Sequence, residues 1–433
     1  MKYVSVTAPG TLMSKVIFNY FNNYLVSFGE AATNNSWNIS RLSMNLKKIL
    51  EEKPKDMTLY IDSGGFQIIM GYIYGSRIDE FIEAYHYALE KHYKNIDKIF
   101  GLDVSNNELD LKQTYLYNRK STLKSIALID KIPAIKDKQF YIMHTGSVKA
   151  LQVWRKLFID EEVYKHFNLW SFGGLVGLKK RTNAKFSHAV PATLWFLTYQ
   201  KKYNFTIDQI HWLGQSSRLS FIAMGLFERL YKLNMTSDSS ALVRFAPIDQ
   251  KLPLIHKHKE DYDVAVNIED IDIMLENHSL DKEDSLYKHV YDKDFDFKDQ
   301  SERNYYLNKS NKNELDDQMF SEMFETRAEY AIQHFSRRKL LDNSDMTELQ
   351  SQGIHFEIQF ANVICDKLIE IGIENITTVD QLYDIHPILK RGRTAKELLN
   401  NIHFFNEFKE IVESGSVDKA DTIMMNVVKT YEK

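Results

Sequence analysis

Over residues 1–246, short apolar or β-branched runs alternate with longer stretches whose apolar residues recur at three- and four-residue steps. The runs are Tyr3–Thr7, Tyr24–Gly29, Thr58–Asp62, Lys98–Asp103, Phe140–His144, Leu169–Gly173, Gln209–Gly214 and Met235–Asp238, and each closes on small or polar residues. Such runs are read as strands. Between them lie helix-patterned segments such as Asp79–Lys94, Leu111–Ile129 and Arg218–Leu233. Strands alternating with helices at this spacing predict parallel βαβ units, and eight units close an α/β barrel of the (β/α)8, or TIM, type. A doubly wound open sheet is the competing arrangement.

The pattern changes after Pro247. Residues 260–302 are rich in Asp and Glu with few apolar clusters, so 247–312 is expected to be an acidic linker or insertion. From Asn313 onward the spacing is helical, most clearly in Glu314–Ser336, His355–Ile373 and Thr394–Ser414. A helical C-terminal domain over 313–433 is expected, with nucleic-acid binding as a candidate role.

Length and composition narrow the class. A chain of 433 residues exceeds one ordinary core, although an α/β barrel alone can use about 250 residues. The formal charge is −4, which speaks against a chain basic throughout and leaves phosphate binding to local patches. The single cysteine, Cys365, excludes an intramolecular disulfide and any zinc site built from several thiolates. Residues 1–10 lack the apolar core of a signal peptide, and no apolar run approaches the ~20 residues that cross a bilayer. The expectation is a soluble cytoplasmic protein without membrane contact, in the host cytoplasm if the chain is phage-encoded.

In a parallel barrel, functional groups sit at the carboxyl ends of the strands. The third strand ends in Asp62-Ser63-Gly64-Gly65-Phe66-Gln67, which puts a carboxylate at the mouth beside backbone free to approach a ligand. A tight turn with Asp62 capping the next helix is the plainer reading of that segment. The fourth strand ends in Asp103, the fifth in His144-Thr145-Gly146-Ser147 and the sixth in Phe172-Gly173-Gly174-Leu175-Val176-Gly177. The seventh gives Trp212-Leu213-Gly214-Gln215, and the eighth gives Thr236-Ser237-Asp238. Three aspartates and two glycine-rich loops would converge on one rim. His144 and His211 raise the thought of a metal, but lone histidines at strand ends are more often hydrogen-bonded structure, and no metal is expected.

IDSGGFQ at Ile61–Gln67 resembles the signature of the tRNA-guanine transglycosylases. Further segments match in the same order: the strand ending in Asp103, TGS at Thr145–Ser147, FGGLVG at Phe172–Gly177, HWLG at His211–Gly214 and the aspartate strand around Asp238. The resemblance covers residues 1–246. It implies that Asp238 is the nucleophile attacking C1′ of the target nucleoside and Asp62 the general acid/base. It further implies that Asp103 accepts hydrogen bonds from the donor edge of the base, that backbone at Gly173, Gly174 and Leu175 contacts the base, and that Leu213 and Gly214 line its pocket. Ser63, Gly64, Phe66, His144 and Thr145 are the remaining substrate-binding candidates.

The chemistry calls for such a set. Exchanging one base for another while keeping the β anomer takes two inversions, so a covalent intermediate on a carboxylate is the economical route. A second carboxyl group can protonate the departing base and deprotonate the incoming one, worth about 10²–10⁴ in rate. One N-glycosidic bond replaces another, so no cofactor is needed.

Two departures from the family pattern bear on the substrate. The tRNA enzymes carry a zinc site of three cysteines and a histidine, which a chain with only Cys365 cannot build. The glutamine they place before their GS pair is here Thr145, preceded by His144, and either residue could take over its contact. The expectation is therefore a zinc-lacking DNA guanine transglycosylase, with DNA and a 7-deazaguanine base (preQ0-type) as its two substrates. Dimers among the relatives imply a homodimer as a further possibility. Lys179, Lys180 and Arg181 are candidates for the nucleic-acid backbone, with Arg337-Arg338-Lys339 and Lys390-Arg391-Gly392-Arg393 behind them. The alternatives are a zinc-lacking enzyme acting on tRNA, a catalytically silent nucleic-acid-binding partner subunit, and a TIM-barrel hydrolase of small molecules.

Overall fold

Strands buried on both faces read as nearly continuous apolar runs, because helices cover the outside of a parallel sheet while side chains fill its inside. The computed structural model describes residues 2–6, 23–32, 37–53, 55, 57–105, 108–175, 187–239, 254–257, 263–266, 358, 360–386, 389 and 394–432. The eight runs form β1 (Lys2–Val6), β2 (Asn23–Ser27), β3 (Thr58–Asp62), β4 (Lys98–Phe100), β5 (Gln139–His144), β6 (Leu169–Gly173), β7 (Gln209–Trp212) and β8 (Met235–Ser239). Each strand pairs in parallel with the next, and β1 pairs with β8, so the sheet closes into a barrel. The open doubly wound sheet is excluded.

The interior follows from the two-residue period of a strand. Val4, Leu25, Tyr60, Phe100, Phe140, Ile142 and Leu169 form one buried cluster, with Leu213 packed against it. Val4 lies opposite Asp238 in the β1–β8 ladder, and Tyr60 is two residues before Asp62, so both carboxylates share the interior face. His144 shares it with Phe140 and Ile142, and Ser171 lies opposite His211. Alternate residues point outward to the helices, where the Trp154 indole donates to Ile142 O and the Trp212 indole to Thr193 Oγ1.

The surrounding helices are α1 (Ile39–Glu52), α2 (Gly65–Ile69), α3 (Arg77–His92), α4 (Leu111–Lys131), α5 (Val148–Asp160), α6 (Ala189–Tyr203) and α7 (Arg218–Tyr231). Side-chain caps start four of them. Asn38, Asp110, Ser147 and Ser217 each accept the backbone N–H three residues on, which satisfies an otherwise orphaned donor. Asp110 and Gln113 close a full capping box.

Later in the chain come α8 (residues 360–371), α9 (Val379–Ile385), α10 (Thr394–Ser414) and α11 (Val417–Glu432). Residues 364–433 belong to the same compact unit as the barrel. Both α10 and α11 pack on α6, and α10 also packs on α7. The join is specific. Asp421 accepts from Trp195 Nε1 at 2.8 Å and from Tyr199 Oη at 2.9 Å, and pairs with Arg155 at 2.8 Å. Phe405 packs on Phe227 with centroids 4.7 Å apart, and the buried Cys365 thiol donates to Ile222 O. A second unit spans 240–363; its described residues include an antiparallel pair, β9 (Leu254–Lys257) with β10 (Asp263–Val266), inside the stretch read as an acidic linker. The predicted helix at 314–336 lies outside the described residues. Among the described residues, no helix is long and apolar enough to cross a membrane.

Candidate active site

Asp238 stands at the carboxyl end of β8, pointing into the barrel and 6% exposed. Its Oδ1 accepts two hydrogen bonds of 2.9 Å, from His211 Nε2 and from the backbone N–H of Gly214. Gly214 has φ +70°, and this left-handed turn after β7 is natural for glycine. The other imidazole nitrogen, Nδ1, lies 2.9 Å from Thr236 Oγ1, which in turn accepts from Gln209 Nε2 at 3.0 Å. His211 is fully buried, with its ring 4.7 Å from Phe100, 5.9 Å from Phe140 and 6.1 Å from Tyr60. Among the described residues, Asp238 Oδ2 takes no hydrogen bond.

Asp62 closes β3 and is partly buried. One carboxylate oxygen accepts the N–H of Gly64 at 3.1 Å. The N-cap of α2 is Gly64, at φ +91°, so Asp62 turns the chain toward that helix without capping it. A side chain at Gly64 would collide with the backbone of Gly29. Burial raises the Asp62 carboxyl above its ordinary range, the charge of Asp238 adds to this, and the N–H of Gly64 pulls the other way. Ser63 is buried, whereas Phe66 stands 54% exposed on the rim.

Asp103 follows β4, where the chain leaves the ladder after Phe100. Helix α4 clamps that turn: Ser121 donates to Leu102 O, and the Asn118 amide both accepts from and donates to the backbone of Val104. The carboxylate rests on Gly65, where an added Cβ would come within 2.2 Å of Asp103 Oδ1. Burial, with the charge of Asp62 second, pushes the Asp103 carboxyl up to about 7. His144 Nε2 lies 4.0 Å from Asp103 Oδ2, and burial drops the imidazole to about 4, so the ring is neutral at pH 7.

Neither ring nitrogen of His144 has a hydrogen-bond partner among the described residues, nor has Thr145 Oγ1. The backbone of Gly174 (φ +76°) lies against the His144 ring, and a Cβ there would stand 2.4 Å from it. The carbonyl of Thr145 is held by His188 Nε2 at 2.9 Å.

The barrel thus brings Asp62, Ser63, Gly64, Asp103, His144, Thr145, Gly173, Gly174, Leu175, Leu213, Gly214 and Asp238 to its carboxyl-end rim. Electrostatically the carboxylates form a row, Asp103 feeling Asp62 and Asp62 feeling Asp238. Lys179, Lys180 and Arg181 lie outside the described residues, as do the basic clusters at 337–339 and 390–393. Among the described residues, no group of three or more His, Cys, Asp or Glu is arranged to hold a metal ion. Sequence reasoning set His211 aside as a structural histidine. Its parity in β7, opposite Thr236 and one step below Asp238, is the signal that could have placed it beside the carboxylate. Such an arrangement can supply a carboxylate nucleophile held by one oxygen, a neighbouring carboxyl whose burial favours its protonated form, and a third carboxyl facing unpartnered polar groups. Neither protein-family models nor curated proteins give a match to the chain.

Proposed function

We propose that the protein is a guanine transglycosylase, exchanging guanine in DNA for a 7-deazaguanine base through a covalent aspartyl–nucleoside intermediate. The observation that carries this reading is Asp238, fixed through Oδ1 by His211 and Gly214, with a second carboxyl, raised above its ordinary range, near enough to feel its charge. The DSGGFQ string around that second carboxyl adds the likeness to the transglycosylases.

In the first step Asp238 Oδ2 attacks C1′, the C1′–N9 bond breaks, and Asp62 gives its proton to the departing base. A raised Asp62 carboxyl suits this role, because it keeps its proton to higher pH than an ordinary aspartate does. In the second step Asp62 takes the N9 proton of the incoming 7-deazaguanine, whose nitrogen attacks C1′ and releases Asp238. Two inversions retain the β anomer. Asp103, as the anion, accepts from the N1–H and exocyclic amine shared by guanine and its 7-deaza analogues. His144 and Thr145, with unpaired polar atoms beside it, supply the rest of the base contacts.

DNA is favoured over tRNA because the one cysteine cannot build the three-cysteine zinc site of the tRNA enzymes. The target guanine must leave the stack to reach the mouth, at a cost of a few kcal/mol. The test is incorporation of radiolabelled guanine into duplex DNA, single-stranded DNA and tRNA, offered separately. Label in DNA alone is expected. Entry into tRNA alone would replace the DNA substrate, and no label together with no trapped adduct would remove the activity. Asp238→Asn is expected to abolish both label and adduct while leaving the circular dichroism spectrum and melting temperature close to wild type.

A further inference from the structure

We propose that His211 is the positioning residue of Asp238, locked as the neutral tautomer with its proton on Nε2, so that Oδ1 is held and Oδ2 is left as the attacking atom. The proposal rests on the transglycosylase reading for the identity of the attacked carbon, but the tautomer stands on geometry alone.

Counting protons along the chain of hydrogen bonds gives the assignment. The Gln209 amide donates to Thr236 Oγ1 at 3.0 Å, so that hydroxyl acts there as acceptor. Its single proton has two places to go, His211 Nδ1 at 2.9 Å or Ile210 O at 3.5 Å. The shorter contact within normal range is the imidazole. Nδ1 is then the acceptor and Nε2 carries the proton, aimed at Asp238 Oδ1. An imidazolium would have to donate from both nitrogens, which would leave the Thr236 proton only the long contact. The ring is enclosed by Tyr60, Phe100 and Phe140, which fix its plane. Among the described residues, no acid or base other than Asp238 is hydrogen-bonded to it. The reverse order, with Thr236 donating to the Gln209 carbonyl, would require an Nδ1–H ring and would strip Asp238 of its imidazole donor.

A neutral donor matters for the chemistry. It orients the carboxylate as the Gly214 N–H does, yet leaves its negative charge uncompensated, which a nucleophile needs. It also leaves Asp62 as the proton carrier for the departing base.

The tautomer is read from ¹⁵N shifts of the full chain labelled at histidine, with the His211 resonances identified by their loss in His211→Gln. At pH 7 we expect one pyridine-like Nδ1 and one pyrrole-like, protonated Nε2; a doubly protonated ring or an Nδ1–H ring overturns the assignment, whether or not guanine exchange is found. Thr236→Val, which removes the hydroxyl donor, is expected to release the ring into mixed tautomers. In exchange assays His211→Leu should lower kcat on the order of 100-fold with KM for guanine little changed. His211→Gln, which keeps an N–H toward Oδ1, should recover most of that loss. Wild-type kcat in His211→Leu, or no recovery in a folded His211→Gln, would refute the positioning role. Absence of exchange in the wild-type protein would instead count against the transglycosylase reading.

Discussion

Asp103 is a carboxyl whose protonation its surroundings decide, and the consequence runs in opposite directions for binding and for stability. With its carboxyl pushed up to about 7, it is half protonated at neutral pH. The donor edge of a guanine needs the anion, so KM for guanine is expected to fall between pH 6 and pH 8, and to lose that dependence in a weaker-binding Asp103→Asn. Stability moves the other way. Between about pH 4 and pH 7 the folded protein keeps a proton that the unfolded chain has released, so the folded state binds more protons and unfolding becomes easier as pH rises. The raised Asp62 carboxyl contributes with the same sign. The buried His86, His144 and His188, each lowered to about 4, carry the opposite sign, so the contribution is read as a difference between proteins. The melting temperature of Asp103→Asn relative to wild type should be higher at pH 7.5 than at pH 5. A difference between Asp103→Asn and wild type that stays constant or falls from pH 5 to pH 7.5 would refute it.

Strands are the part of this fold most legible in sequence. Thr58–Asp62 and Leu169–Gly173 form strands with the bounds their apolar runs predict, because a run flanked by small and polar residues has little freedom in where it enters and leaves the ladder. The run at Lys98–Asp103 overshoots: β4 stops at Phe100, since Ser121 and Asn118 of α4 take over the backbone groups of Leu102 and Val104. Asp62 and Asp238 were legible as strand-end carboxylates. His211 was not, because its partners lie 25 and 27 residues away and only strand parity brings them together. Least legible was where the C-terminal helices sit, as Trp195 and Asp421 are separated by 226 residues. That contact makes a prediction at the level of elements. Asp421→Ala leaves a buried indole N–H and a phenol without their acceptor and Arg155 without its carboxylate, each buried donor costing about 1–3 kcal/mol. A loss of about 2–4 kcal/mol in unfolding free energy is expected in denaturant titration, and a loss under 0.5 kcal/mol would show the join to be incidental.

The helix that receives those contacts explains why the molecule needs its C-terminal end. An outer helix of an α/β barrel ordinarily keeps a polar face to water. Helix α6 has none over its first eleven residues: Ala189 to Tyr199 are all buried, with Trp195 and Phe196 on different sides. Its two interior threonines stay satisfied within the helix, Thr193 donating to Ala189 O and Thr198 to Leu194 O, so neither calls for solvent. One flank packs inward, where Phe196 meets Trp170 and Phe172. The other is covered by α10 and α11. Without those helices a contiguous apolar surface carrying Trp195 would face water, and surfaces of that kind drive association. Residues 1–239 expressed alone are therefore expected to be insoluble or to elute as aggregates in size-exclusion chromatography. Supplying residues 364–433 as a second chain should recover soluble barrel, since they complete the same compact unit. A monodisperse 1–239 fragment melting at the temperature of the full chain would mean that the barrel closes its own core, and that the C-terminal helices are added to a finished fold.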